Sequence, residues 1–164
     1  MNLDQANNLL DFEEQLPMGS LPRLLRPSKE SFTNSRHPYL VADPERASAL
    51  QRLITRPGKL VCGVSWSSSR KSIGIHKSID LAQMLMPLAS ENLHFVNLQY
   101  GDTTTEREAL RTAHGIEVQS LDAVDNFNDI DGLAALIEAC DIVLTTSNST
   151  AHLAGALGKT TLLL

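Results

Sequence analysis

Residues 142–158 read IVLTTSNSTAHLAGALG. The apolar run Ile142–Thr145 predicts a buried strand, and the polar residues after it lead into a helix predicted over Ser149–Leu157. Gly158 follows directly, at the position past a helix end where glycine readily adopts a left-handed conformation. A strand, a polar loop and a helix in this order are typical of βαβ units, so the stretch predicts a parallel sheet flanked by helices.

The alternation of short apolar runs with helical periods extends back to Lys59. Four further strands are predicted, at Leu60–Ser65, Leu93–Gln99, Ile116–Gln119 and Thr160–Leu164. Three further helices are predicted, at Ser78–Met86, Thr103–Ala113 and Asp129–Ala139. In the second of these helices, Thr103 and Glu106 have the spacing of a capping box. The predicted fold class is α/β, with a Rossmann-like, doubly wound parallel sheet of about five strands.

The first 58 residues follow a different pattern. They contain six of the seven prolines and little sustained periodicity, which predicts an irregular, wrapping extension. A proline in a first helical turn predicts a helix over about Pro44–Arg56, and a short helix around Leu3–Gln15 is compatible with the sequence. The predicted organisation is a Pro-rich wrapping segment with a linker helix at 1–58, followed by a Rossmann-like domain at 59–164. That domain stops within a predicted buried strand, which indicates truncation at its C-terminus.

The composition is that of a soluble globular chain. Of 164 residues, 42% are hydrophobic and 20% are charged, and 14 bases against 19 acids give a net charge of −5. No run approaches the ~18 consecutive apolar residues of a membrane span, and the N-terminus lacks the features of a signal peptide. A cytoplasmic location without a membrane span is therefore expected. Cys62 and Cys140 lack the spacing of a metal site and are predicted to be small buried hydrophobic residues.

Positive charge is concentrated in one segment of the otherwise acidic domain. The segment from Lys59 to Lys77 includes Arg70 and Lys71 and contains no acid. A small basic loop favours a small anionic ligand over nucleic acid, which requires a broad basic face with many phosphate contacts. A solvated loop with a chance excess of basic residues is the alternative interpretation.

In a doubly wound sheet with strand order 3-2-1-4-5, ligands bind beyond the carboxyl ends of the strands, where the order reverses. The loops after Ser65 and Thr145 border this point, and the second loop opens a helix. Free N–H groups and the positive dipole end of such a helix favour phosphate, so a pyrophosphate between this helix and the basic loop is predicted. The candidate ligand-binding residues are Ser65, Lys71, Lys77, Gln99, Ser147, Asn148, Ser149, Thr150 and His152.

Several of these residues also have a simple structural interpretation. Ser147, Asn148 and Ser149 are suited to capping a helix, and His152 fits an exposed or hydrogen-bonded histidine. The sequence Asp129–Asp131 has the D-x-D pattern of metal-dependent sugar transferases, but acids in a first helical turn are explained by capping and the helix dipole. The chain lacks G-x-G-x-x-G, P-loop and G-x-S-x-G motifs. Neither a metal nor a cofactor is predicted.

Seven stretches together cover nearly the whole chain and resemble one family. They are residues 15–22, 39–46, 63–66, 77–81, 97–101, 125–129 and 147–158. They resemble the glycosyltransferase-like region of bacterial tetratricopeptide-repeat proteins. The stretch at 149–158, STAHLAGALG, is also similar to the donor-binding helix of ADP-heptose transferases and, more distantly, of protein O-GlcNAc transferases.

This resemblance implies a GT-B architecture with two Rossmann-like domains, of which the chain is the nucleotide-sugar-binding half of an inverting, metal-independent glycosyltransferase. The acceptor would be a protein or a glycan, and the catalytic base would come from the acceptor side. A non-catalytic nucleotide-sensing or protein-interaction module of a tetratricopeptide-repeat protein is the alternative.

The resemblance also implies roles for individual residues. It places the diphosphate at Ser149, Thr150, His152 and Lys77, and the wall of the crevice at Ser65 and Gln99. Many relatives have Asp-Thr where this sequence has Ser147 and Asn148. A carboxylate role at that corner is therefore not expected here.

Overall fold

The computed structural model describes residues 15–32, 38–68, 78–90 and 92–164. The chain divides into two compact units, at residues 1–36 and 37–164. The described part of the first unit contains a 3-10 turn at Met18–Ser20, helix α1 at Leu21–Leu25 and a second 3-10 turn at Lys29–Phe32. No residue of these three elements is buried. The helix predicted around Leu3–Gln15 lies almost entirely outside the described residues.

The second unit is built on one parallel sheet. Its strands are β1 at Leu60–Ser65, β2 at Leu93–Asn97, β3 at Val118–Gln119, β4 at Ile142–Thr145 and β5 at Thr161–Leu163. They are arranged in the order β3-β2-β1-β4-β5, and every neighbouring pair is parallel. The predicted doubly wound order is thereby confirmed, and it reverses between β1 and β4.

Five α-helices accompany the sheet in the described part of the second unit. They are α2 at Pro44–Ile54, α3 at Leu81–Leu85, α4 at Thr104–His114, α5 at Ile130–Ala139 and α6 at Ser149–Ala156. Helix α3 begins later than predicted because Asp80 caps it, accepting hydrogen bonds from the N–H groups of Ala82 and Gln83. None of the described helices is long and apolar enough to cross a membrane.

The predicted capping box at the start of α4 is wrong. The Thr103 hydroxyl is buried and accepts hydrogen bonds from Asn97 Nδ2 at 3.1 Å and Arg107 Nε at 3.0 Å, so it does not cap the helix. Asp102 accepts from the first helical N–H at 3.0 Å instead. Glu106 does not take part in a capping box either, because its carboxylate accepts a hydrogen bond from Trp66 Nε1 at 2.7 Å.

Two apolar layers cover the sheet. Helices α2, α5 and α6 pack on one face through a cluster that includes Leu50, Leu133 and Val143. Helices α3 and α4 pack on the other face through a cluster that includes Leu85 and Leu110. The predicted division at residue 58, between a wrapping segment with a linker helix and a Rossmann-like domain, stays a prediction.

Both cysteines are buried, as predicted, and neither forms a disulfide. Burial raises the pKa of the Cys62 thiol to about 11 and that of the Cys140 thiol to about 12. Both side chains are therefore neutral core residues at physiological pH.

The last strand differs from the prediction of a buried strand. Leu162 and Leu163 of β5 are 52% and 61% exposed. The strand lies at the edge of the sheet, where Leu162 and Leu163 line an apolar cavity together with Met84, Leu88 and Leu144. The apolar run at 160–164 therefore predicts the strand correctly, but the side chains of this strand are not buried.

The segment before α2 holds the C-terminal end of α6. The N–H groups of Tyr39 and Leu40 both donate to the Ala156 carbonyl at 3.1 Å. Gly158, just beyond the helix, has φ +75°, which confirms the predicted left-handed position. A Cβ on Gly158 would lie 3.2 Å from Pro38.

Candidate functional site

The carboxyl ends of β1, β2 and β4 meet at one edge of the sheet. Ser65, the last residue of β1, is opposite Thr145, the last residue of β4. Gln99 lies two residues beyond the end of β2, and Asn148 immediately precedes α6. In a doubly wound sheet this is the edge where the strand order reverses and where ligands bind. The structure therefore brings Ser65, Gln99 and Asn148 together at the predicted place.

Gln99 fixes the course of the chain that leaves β1. Its Oε1 atom accepts three hydrogen bonds of 2.9 Å, from Ser65 Oγ, the Trp66 N–H and the Ser67 N–H. The Gln99 backbone N–H donates in turn to Asn97 Oδ1 at 3.0 Å. Gln99 is only 2% exposed, so it lies beneath the loop surface.

Asn148 joins the β1 loop to α6. Its Oδ1 atom caps the helix by accepting from the N–H groups of Thr150 and Ala151 at 3.0 and 3.3 Å. Its Nδ2 atom donates to Ser65 Oγ at 2.8 Å and to the Ser67 carbonyl at 3.3 Å. Asn148 therefore caps α6, as predicted, and also bridges this helix to the loop after β1.

The first turn of α6 supplies the exposed polar groups of the site. Ser147, Ser149 and His152 are exposed. The Ser149 N–H is the first of the helix and has no partner within the helix, because intrahelical bonding starts further along. Positive dipole charge is concentrated at this end. These groups form a surface suited to an anion.

Two buried hydroxyls at the same place have unmet hydrogen-bonding capacity. Thr150 is fully buried and Thr146 is 4% exposed. Within the described part of the chain, the Oγ1 atoms of both have no hydrogen-bond partner. A buried polar group without a partner costs about 1–3 kcal/mol. Thr150 is one of the ligand-binding residues predicted from the sequence, whereas Thr146 was not singled out.

The two predicted basic contacts, Lys71 and Lys77, lie outside the described residues, and so does His76. The last described residue of the β1 loop is Ser68, whose N–H donates to Ser78 Oγ at 3.1 Å. The roles of the lysines therefore stay predictions.

A polar cavity beside this network was missed by the sequence analysis. It has a volume of about 280 Å³ and lies between the end of β2, the start of α4 and the loop before α5. Asn126 Nδ2 donates to the carbonyls of Asn97 and Gln99 at 3.1 and 3.3 Å, while its buried Oδ1 has no partner among the described residues. A hydrogen bond from the Asn128 side chain lowers the pKa of Asp125 at the rim. The only sequence signal was the run of Asp and Asn here, which is typical of a turn.

The D-x-D pattern has a structural role. Asp129 Oδ1 accepts from the Gly132 N–H at 2.9 Å and so caps α5, and its carboxylate forms an ion pair with Arg46 of α2. The hydrogen bond from Arg46 lowers the pKa of Asp129. In the described ranges, no group of three His, Cys, Asp or Glu side chains could hold a metal ion.

No protein-family model matches the chain. Among curated proteins, the chain is similar to Protein FlbA of Caulobacter vibrioides, with 32% identity over 150 residues. The match covers 90% of this chain but 25% of FlbA, so the chain spans a quarter of that relative's length.

Among solved structures, the fold is similar to the ADP-heptose lps heptosyltransferase II of E. coli, with a TM-score of 0.61 and 15% identity. The likeness covers 85% of this chain and 43% of the heptosyltransferase chain. It confirms the predicted fold, a Rossmann-like α/β sheet of the kind found in that glycosyltransferase.

Proposed function

We propose that the chain forms the donor-binding part of a metal-independent glycosyltransferase and that its ligand is a nucleotide-diphosphate sugar. The fold it shares with a heptosyltransferase supports this assignment. The observation that carries it is local: at the strand-order reversal, in and just before the first turn of α6, two buried hydroxyls have no hydrogen-bond partner among the described residues. In this proposal residues 59–164 are the donor domain of a longer cytoplasmic protein of the tetratricopeptide-repeat type, with a protein or glycan as acceptor.

The diphosphate binds at the first turn of α6. Its oxygens accept hydrogen bonds from the Ser149 N–H and hydroxyl and from Thr150 Oγ1. Because Ser149 and His152 are three residues apart on a helix, they face the same side, and the imidazole donates to the ligand there. Ser147 lies at the rim of this diphosphate site. A phosphate oxygen that accepts from Thr150 offsets the penalty of that buried, unpartnered hydroxyl.

Basic side chains complete the charge balance. Lys77, and with it Lys71, contributes positive charge from the loop that follows β1. As the bond between sugar and diphosphate breaks, negative charge develops on the leaving nucleotide, and the helix N-terminus and these lysines stabilise it. The transfer therefore requires no metal ion. Ser65, Gln99 and Asn148 lie behind the ligand and support the loops that bind it.

Thr150→Val separates ligand binding from folding. Valine retains the shape of threonine but lacks its hydroxyl, and this hydroxyl has no partner among the described residues. The variant should therefore be at least as stable as the wild type in urea denaturation. Its affinity for the diphosphate should fall about tenfold, the equivalent of one hydrogen bond to a charged group.

The test is calorimetric titration of the purified chain with ADP, UDP and GDP, with and without magnesium. Metal-independent, saturable binding of one of them, weakened in both Thr150→Val and Lys77→Ala, supports the donor-site proposal and identifies the base. A folded chain that binds none of them contradicts it and favours the non-catalytic interaction module.

A further inference from the structure

We propose that Gln99 and Asn148 are positioning residues whose buried carboxamides hold the chain leaving β1 against the first turn of α6 without contacting the ligand. The inference rests on the proposed function for its ligand, but its structural content is independent of it. It assigns these two side chains a role different from direct ligand contact.

The hydrogen-bonding capacity of Asn148 is already used by the chain itself. Its Oδ1 atom accepts from two helical N–H groups and from Thr145 Oγ1 at 3.1 Å. Its Nδ2 atom carries two hydrogens, and these are directed to Ser65 Oγ and the Ser67 carbonyl. Asn148 is 6% exposed. A ligand therefore finds no free donor at this side chain.

The side-chain oxygen of Gln99 is engaged in the same way, and its Nε2 atom donates to the Tyr100 carbonyl at 3.3 Å. A carbonyl oxygen has two lone pairs, yet Gln99 Oε1 accepts three hydrogen bonds from Ser65, Trp66 and Ser67. Two of these donors are backbone N–H groups just past the end of β1, where no strand partner remains for them. The Gln99 side chain thus continues the hydrogen bonding of the sheet beyond its last residue.

The hydroxyl of Ser65 links the two carboxamides in a single direction. It accepts from Asn148 Nδ2 at 2.8 Å and donates to Gln99 Oε1 at 2.9 Å. The direction cannot reverse, because an amide nitrogen only donates and an amide oxygen only accepts. The network therefore requires a donor nitrogen at position 148 and an acceptor oxygen at position 99. A carboxylate at position 148 would place a second acceptor against the Ser67 carbonyl.

The consequence for the site is geometric. The N–H of Ser67 is held by Gln99 and its carbonyl by Asn148, so both sides of this residue are fixed. The basic residues follow a few positions later in the sequence, while Asn148 also sets the start of α6. This network of Gln99, Ser65 and Asn148, which we call the clamp, thereby fixes Ser67 relative to the helix that binds the diphosphate before a ligand arrives.

The test compares Gln99→Met with Asp141→Ala. Methionine matches glutamine in length but cannot accept the three hydrogen bonds. Asp141 is the control, because it accepts from the Val61 N–H at 2.7 Å and so joins the start of β4 to β1 at the opposite edge of the sheet. Trp66 is the only tryptophan of the chain, and its backbone N–H donates to Gln99 Oε1. Its fluorescence therefore reports on the clamp.

We expect Gln99→Met to remain folded by circular dichroism, to shift the emission and acrylamide quenching of Trp66, and to bind ADP, or the nucleotide that the wild type prefers, about tenfold more weakly. Asp141→Ala should keep the native Trp66 spectrum and an affinity within about twofold of the wild type. Gln99→Glu retains the acceptor oxygens and should restore the Trp66 spectrum.

Wild-type Trp66 fluorescence in Gln99→Met would overturn the clamp, and so would wild-type affinity. If Gln99→Met does not fold, Asn148→Ser takes its place, because serine caps the helix but cannot bridge to Ser67. If the wild type binds no nucleotide, the proposed function fails while the Trp66 spectra still decide the clamp.

Discussion

At the amino-terminal edge of the sheet, Asp141 joins the start of β4 to β1, because its carboxylate accepts from the Val61 N–H at 2.7 Å and its own N–H donates to the Val61 carbonyl at 2.9 Å. At the carboxyl-terminal edge, the same two strands are joined through Asn148 and Ser65, and Gln99 extends the network to the end of β2. The first bridge uses a charged, exposed side chain, and the second uses neutral, buried ones.

The two edges also differ in how fully their polar groups are satisfied. The bridge at the amino-terminal edge is a complete donor and acceptor pair. The carboxyl-terminal edge combines a dense network with the hydroxyls of Thr146 and Thr150, which have no hydrogen-bond partner in the part of the chain that the structure describes. An edge that serves stability alone has no reason to retain unmet hydroxyls. The contrast shows that the edge with the denser network is also the one whose hydrogen bonding is incomplete within the described residues.

The largest effect is expected from removing the bridge at the carboxyl-terminal edge. Asn148→Ala removes a helix cap and leaves Ser65 and the Ser67 carbonyl short of a partner, so it should lower the free energy of unfolding by about 2–4 kcal/mol. Asp141→Ala removes one exposed contact and should cost about 1 kcal/mol. Urea denaturation followed by circular dichroism measures both. Equal losses would remove the distinction between the two edges.

A smaller effect should distinguish two hydroxyls of the carboxyl-terminal edge, one that is hydrogen-bonded and one that has no partner among the described residues. Thr145 Oγ1 lies 3.1 Å from Asn148 Oδ1, so Thr145→Val should lower the free energy of unfolding by about 1 kcal/mol. Thr150→Val should cause no loss, since its hydroxyl has no partner in the described residues. Thermal denaturation of the two variants side by side provides the measurement, and a destabilised Thr150→Val would show that its hydroxyl is satisfied.

The smallest effect concerns pH. Asp129 pairs with Arg46, which lowers the pKa of Asp129 in the folded chain. A carboxyl with a lowered folded pKa stabilises the fold above its unfolded pKa of about 4, and this contribution is lost as the pH falls through the folded value. Wild type should therefore lose more stability than Asp129→Asn between about pH 5 and pH 2.

Urea midpoints across that range test the expectation. The neutral clamp of Gln99, Ser65 and Asn148 carries no titrating group, so Asn148→Ser should follow the pH profile of the wild type. Parallel profiles for wild type and Asp129→Asn would contradict the role assigned to the ion pair.

The strand order could be predicted because it depends on the alternation of apolar runs and on a rule about parallel sheets, and the ligand site that this rule indicates stays a prediction. That rule identifies the loops after Ser65 and Thr145 before any contact is known. The cap at Asn148 was equally accessible, since a short polar side chain before an apolar helix is a local signal.

Side-chain direction was not accessible in this way. The sequence placed Ser65 and Gln99 at the crevice but did not indicate that they would be buried against each other. The capping box failed for a similar reason, because Thr103 is taken by Asn97, a residue of a different element. Local patterns identify which groups can hydrogen-bond, whereas tertiary packing decides between competing partners.

Helix α6 is held at both ends, by Asn148 at its start and by the N–H groups of Tyr39 and Leu40 at the Ala156 carbonyl. At 1.5 Å per residue, its eight residues form a helix about 12 Å long. A short helix that is hydrogen-bonded to other segments at both ends keeps its orientation whether or not a ligand is bound. Association at its N-terminus then loses little conformational entropy in the helix, and affinity depends on the few contacts made there.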